Sequence, residues 1–206
     1  MTSTETLAAE QQSAPLELAV IVGSVRDGRV GPTVARWFAD EARTHGGFHV
    51  DVIDLLDYPL PLVIPAPGQF ADPETTRIHE ALAARIAAAD AYVIVTPEYN
   101  HTLPAALKNT VDWVYAEWAA KPVGFVSYGG MSGGLRAVEH LRHIVAELHG
   151  VTVRESLSFH QVWEAFDGDL PRDREGSAAA AKGMLDRLVW WGRTLRAARL
   201  DRPYER

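Results

Sequence analysis

The sequence predicts an α/β domain built on a doubly wound parallel sheet of five strands, with helices on both faces. Short β-rich apolar runs alternate with longer segments of helical period, the pattern of consecutive βαβ units. Three of those runs are almost continuously apolar, as strands covered on both faces require. The length of 206 residues, with 47% hydrophobic and 23% charged residues, suits one domain with a full core. Residues 1–15 read as a disordered tail and residues 16–206 as that single domain.

The first strand is LELAVIVG, Leu16 to Gly23. A helix follows over Pro32 to Thr44, opened by a proline suited to a first turn and carrying Val34, Trp37 and Phe38 at helical spacing. FHVDVIDL, Phe48 to Leu55, is the second strand, and a proline-rich connection over Asp57 to Asp72 leads to a helix over Pro73 to Ala89. AYVIVT, Ala91 to Thr96, is the third strand. The helix after it spans Leu103 to Trp118, with Leu107, Val111, Val114 and Trp118 on a core stripe and Trp113 and Tyr115 off it. PVGFVSY, Pro122 to Tyr128, is the fourth strand, followed by a helix over Ser132 to His149. VTVRESL, Val151 to Leu157, is the fifth, and a loop over Ser158 to Arg174 leads to a last helix over Glu175 to Leu200. Trp190 and Trp191 are neighbours on that helix, so at most one faces the core squarely.

Several function classes are disfavoured at once. A net charge of -7 argues against nucleic-acid binding, which rests on clustered Lys and Arg. The absence of cysteine removes disulfides and thiolate chemistry and fits a reducing cytosol. Neither a signal peptide nor an apolar run of membrane-spanning length is present, so a soluble, cytoplasmic protein without membrane contact is expected. His140 and His143 lack a clear third ligand, so no metal site is expected, and the D-G-D of Asp167 to Asp169 reads as a turn.

In such folds ligands bind along the edge where the strands' C-terminal ends emerge. The loop after strand one, GSVRDGRVGP from Gly23 to Pro32, offers flexible glycines, amides at a helix N-terminus, Ser24, Arg26 and Arg29, a set suited to a phosphate. It is neither G-x-G-x-x-G nor a P-loop, which favours a mononucleotide. After strand three, Pro97, Glu98, Tyr99 and Asn100 combine stiffness, an acceptor, a flat face and an amide, suited to a planar polar heterocycle. After strand four, Ser127 to Gly134 holds four glycines among eight residues, which exposes backbone amides at close range. The same segment contains GMSGG, a match to the nucleophile pattern G-x-S-x-G centred on Ser132, but the later Asp and His that a hydrolase needs stand in the wrong order. Ser132 is therefore expected to be the N-cap of the following helix.

Together GSxR, PEYN-x-x-x-P-x-x-L-K-N-x-x-D-W and S-Y-G-G-x-S-G-G resemble the NAD(P)H-dependent FMN reductase family, over roughly Leu18 to Val153. The resemblance implies a flavodoxin-like sheet of order 2-1-3-4-5 and hydride transfer from NADPH or NADH through bound FMN to a flavin, quinone, azo or nitro compound, or metal oxyanion. It implies that Ser24, Arg26, Arg29, Val30 and Gly31 hold the FMN phosphate. Pro97, Glu98, Tyr99 and Asn100 would line the isoalloxazine and ribityl, with Ser127, Tyr128, Gly129 and Gly130 opposite. Lys108, Asn109, Asp112 and Trp113 would organise the helix beside a homodimer contact, with further association to a tetramer left open. The chain departs from the family where many members carry serine at Arg29 and asparagine at Gly31. No side-chain acid or base is assigned, because flavin chemistry asks the protein for binding, orientation and electrostatics. The rival reading is a flavodoxin-like electron carrier or a non-catalytic FMN-binding protein.

Overall fold

The computed structural model describes residues 14–66, 69 and 72–205, so the expected tail, apart from Ala14 and Pro15, lies outside the described residues. Five parallel strands form the main sheet: β1 (Leu16–Val22), β2 (Phe48–Asp54), β3 (Ala91–Pro97), β4 (Pro122–Tyr128) and β5 (Val151–Phe159). Their order is β2-β1-β3-β4-β5, as the resemblance implies. The helices are α1 (Gly31–His45), α2 (Pro73–Ala88), α3 (Ala105–Trp113), α4 (Leu135–Glu147), the short α5 (Val162–Ala165) and α6 (Arg174–Asp201).

The continuous apolar runs are explained by two cores. Leu18, Val20 and Val22 of β1 pack with α1 and α6 on one face, whereas Ala19 and Ile21 pack with α2, α3 and α4 on the other. β3 and β4 alternate in the same way, Val93 and Val126 going to the first core and Ile94 and Phe125 to the second. Because the pairing is parallel throughout, Val22 lies between Asp54 and Val95, while Thr96 and Pro97 stand beside Ser127 and Tyr128. The strand exits therefore share one edge.

Three expectations about local structure are corrected. The helix expected over Leu103 to Trp118 is shorter, because Pro104 is extended and α3 starts only after it. At its other end Val114 is extended, and a 3-10 turn at Ala116–Trp118 carries Trp118 inward, where its indole N–H donates to Val114 O at 2.5 Å and its ring packs 4.8 Å from that of Tyr92. α4 starts at Leu135 rather than Ser132, because Gly133 and Gly134 have φ of 59° and 85° and turn the chain first. The loop over Ser158 to Arg174 holds the end of β5, α5 and a hairpin of β6 (Phe166–Asp167) with β7 (Leu170–Pro171), turned at Gly168 with φ of 60°. Phe159, Val162 and Phe166 anchor this segment, and Phe159 and Phe166 pack edge-on against Trp37. On α6 Trp191 packs against the core, while Trp190 is exposed. Among the described residues, no helix is long and apolar enough to cross a membrane.

At the edge opposite the strand exits, Lys121 is buried at the start of β4. Its ammonium donates to Ala87 O at 2.7 Å, Tyr92 Oη at 3.0 Å and Ile86 O at 3.4 Å, and so satisfies carbonyls left open at the end of α2. Burial, aided by Arg199 and opposed by Asp90 and Glu117, pushes its pKa from 10.5 down to about 8. Between those values the unfolded chain holds a proton that the folded chain has released, so this group makes stability rise with pH there, by up to about 1.4 kcal/mol per unit. Denaturant titrations at pH 8 and pH 10 should show a gain for the parent relative to Lys121→Met; parallel changes in the two proteins would refute this.

Candidate functional site

The first loop leaves β1 with Gly23 N–H donating to Val95 O at 2.9 Å, then turns through Gly28, whose φ of 65° suits glycine. It enters α1 at Val30, where no side chain caps the helix and no acidic residue occupies the first turn, so the positive end of a 15-residue helix faces the site. Arg26 is exposed, its guanidinium 5.8 Å from the centroid of the Tyr99 ring. Arg29 turns back: Nη1 and Nη2 meet the two Asp54 oxygens at 2.6 and 2.7 Å, and Nη1 also donates to Ser24 O at 2.5 Å.

Beneath this loop Ser24 and Gly31 are buried. A Cβ on Gly31 would lie 2.5 Å from Ser24 Oγ and 2.7 Å from Tyr128 Oη, so those two hydroxyls occupy the space a side chain would need. The Tyr128 hydroxyl donates to Ser24 Oγ at 3.0 Å. Burial dominates its acidity and pushes the phenol up to about 12, so it stays protonated at neutral pH and keeps donating.

After β3, Tyr99 and Thr102 exchange backbone hydrogen bonds at 2.9 and 3.1 Å across a two-residue turn in which Asn100 and His101 have φ of 49° and 70°. Both central residues have left-handed φ, which asparagine tolerates better than most. Glu98 accepts from Ser132 Oγ at 2.8 Å, Arg136 N at 3.1 Å and Arg136 Nη1 at 2.6 Å. Burial, the largest influence, works against its ionisation, but the donors on Arg136 and Ser132 together hold its pKa below the usual range. Ser132 is therefore not the N-cap, which is Gly134: its hydroxyl serves Glu98, and the pair fastens the fourth-strand loop to the third.

A cleft of about 210 Å³ opens where these loops meet, lined by Arg26, Arg29, Val30, Pro97, Glu98, Tyr99, Tyr128, Gly129 and Gly130, with Val162 and Trp163 from α5. Of the expected site residues, Ser24, Gly31 and Ser127 lie beneath it, the last with its Oγ 3.4 Å from Leu157 O, while Asn100 stands at the turn's exposed tip. Sequence reasoning missed Trp163. Gln161 N–H donates to Gly130 O at 3.0 Å and Val162 N–H to Gly129 O at 2.9 Å, so α5 is fastened onto the glycine turn of its own chain and Trp163 stands two-thirds exposed at the cleft. Larger hollows occur elsewhere among the described residues, such as one of about 630 Å³ beside His149, Arg199 and Tyr204, which lies away from the three strand-end loops.

Residues 16–164 match the family described as NADPH-dependent FMN reductase. The chain belongs to this family. It is 39% identical over 136 residues to an NAD(P)H-dependent FMN reductase of Schizosaccharomyces pombe, covering 64% of this chain and 66% of that protein. It is 34% identical over 155 residues to a quinone reductase of Escherichia coli, covering 69% of this chain and 76% of the relative. The fold is similar to that of the flavoenzyme NAD(P)H:(acceptor) oxidoreductase FerB of Paracoccus denitrificans, with a TM-score of 0.68, 24% identity, and coverage of 87% of this chain and 98% of that one.

The residues present fit the family's cofactor. The uncapped start of α1 with Arg26 beside it suits a phosphate, and the turn at Gly129 and Gly130 lines the cleft with backbone, the Trp163 ring standing against Gly130. The packed hydroxyls beneath the first loop crowd any side chain added at position 31. Gly31→Ala should lower stability by about 1–3 kcal/mol in denaturant unfolding, and adding Tyr128→Phe, which removes one of the two hydroxyls, should recover part of it. Unchanged stability in Gly31→Ala would show that the loop yields freely.

Proposed function

We propose that this chain is a cytoplasmic FMN-dependent NAD(P)H oxidoreductase that uses small-molecule acceptors, with quinones the first class to test. The observation that carries the reading is the meeting of an uncapped helix start, an exposed arginine, a tyrosine face and a bare glycine turn in one cleft. The family membership and the relatives named as FMN and quinone reductases support it. FMN, when bound, supplies the redox chemistry by taking hydride from NAD(P)H and passing it to the acceptor.

The chain's own part is binding and positioning. The loop from Ser24 to Gly31 would hold the phosphate, with Arg26 and the α1 amides providing positive charge. Pro97, Tyr99 and the turn at Gly129 and Gly130 would confine the ring; Gly129 N–H is spent on Phe159 O at 3.1 Å, so the Gly130 amide is the one that would favour negative charge beside it. Glu98 is occupied by Ser132 and Arg136, so its role is to keep the two loops in register. Trp163 offers a flat apolar surface that would limit water and favour planar acceptors.

Mixing the purified protein with FMN, desalting, and adding NADPH without oxygen tests the reading. Retained yellow colour that bleaches is expected. Colour that persists would mark an electron carrier, and no retained flavin would overturn the cofactor assignment.

A homodimer is part of the proposal. Leu62 and Val63 are 78% and 81% exposed in the single chain, on a segment fastened to α3 by Trp113 Nε1 donating to Pro61 O at 2.8 Å and Asn109 Nδ2 donating to Leu60 O at 2.9 Å. Apolar side chains held out on a fixed base suit a subunit contact. Sedimentation at micromolar concentration should give twice the 22.6 kDa chain mass, and Leu62→Glu with Val63→Glu should shift it to monomer; a parent that sediments only as monomer would refute the dimer.

A further inference from the structure

We propose that Arg29 acts as a positioning residue: through Asp54 it fastens the phosphate loop to the end of β2, and the cation offered to the phosphate is Arg26. The proposal rests on the FMN reading given above. Parallel pairing sets Val22 beside Asp54, so the carboxylate at the end of β2 stands next to the point where the loop begins. Arg29 reaches both of its oxygens in a two-pronged contact at 2.6 and 2.7 Å, with side chains only 13% and 23% exposed. The same Nη1 donates to the Ser24 carbonyl at 2.5 Å, which ties the end of the loop back to its start.

Asp54 is itself held, because its Oδ1 accepts from Leu56 N at 3.0 Å as the cap of the 3-10 turn Leu55–Asp57. One carboxylate thus joins β2, the turn after it and the loop beside it. The ion pair is neutral as a unit and presents little net charge to an anion. Three of the five guanidinium N–H groups are consumed within the chain. What the pair supplies is order: the loop contains exposed residues Val25 to Gly28 and a glycine at φ 65°, and an unfastened loop would lose more freedom when a ligand fixes it. Lysine cannot substitute, since an ammonium has no planar fork for both carboxylate oxygens.

The test is the dissociation constant for FMN and for riboflavin, read from flavin fluorescence, in the parent, Arg29→Ala, Arg29→Lys, Asp54→Ala and the double variant Arg29→Ala/Asp54→Ala. Each single change should weaken FMN binding by about tenfold or more, and the double variant should be no worse than Arg29→Ala alone. Riboflavin, which lacks the phosphate, should bind all variants about equally, a result that general damage to the fold would not give. Arg29→Lys is the second probe: positioning predicts a loss like that of alanine, whereas a phosphate contact by charge predicts near-parental binding. If Asp54→Ala binds FMN as well as the parent or more tightly while Arg29→Ala weakens it, Arg29 is a phosphate ligand and the proposal falls. A parent that binds no FMN would overturn the cofactor reading itself, an outcome separable from failure of the clamp.

Discussion

The parallel register of the central strands is the constraint on which the rest depends. Val22, Val95 and Val126 lie side by side at the ends of β1, β3 and β4, each sealed between two helical layers. Their positions are fixed by the burial of the whole strand, since a slip of one residue would turn each strand's apolar set to the opposite core. Three loops of very different composition are thereby delivered to one edge. None of them needs much order of its own before folding, because the sheet supplies the anchor points. The polar cross-links add the finer adjustment: Glu98 joins the third-strand loop to the fourth, Asp54 joins the end of the second strand to the first loop, and the Tyr128 hydroxyl joins the fourth strand to the first loop from below.

The sheet was readable from the sequence because its strands are buried on both faces and bounded by turn residues. Strand limits came out to within two residues, and the helices on strong apolar periods, such as α1 and α6, to within about as much. Helix ends were less readable. Leu107, Val111, Val114 and Trp118 keep helical spacing and all are buried, yet the chain leaves α3 at Val114, since Trp118 reaches the core through a 3-10 turn instead. Spacing reports which residues are buried and not by what backbone path.

Most residues of the cleft were also legible, as loop chemistry recognisable from type and position. What could not be read was which of two polar groups each one faces. Arg29 and Arg26 are three apart in one loop, and only the tertiary arrangement places Asp54 within reach of the first and Tyr99 beneath the second. Ser132 stands in sequence where a helix cap is expected. Two consecutive glycines with positive φ take it away from the helix start and toward Glu98. Trp163 stayed hidden because its partner, the backbone of Gly129 and Gly130, carries no side-chain signature at all.

The two hydroxyls packed over Gly31 tie together parts of the chain nearly a hundred residues apart. Tyr128 reaches from the fourth strand into space that a side chain on the first helix would otherwise fill, with Ser24 between them. A larger residue at position 31 asks the Ser24 and Tyr128 hydroxyls to move aside, and a shorter residue at position 128 opens space beside position 31. A first loop grafted onto this sheet thus has to suit the residue at the end of the fourth strand as well as its own ligand.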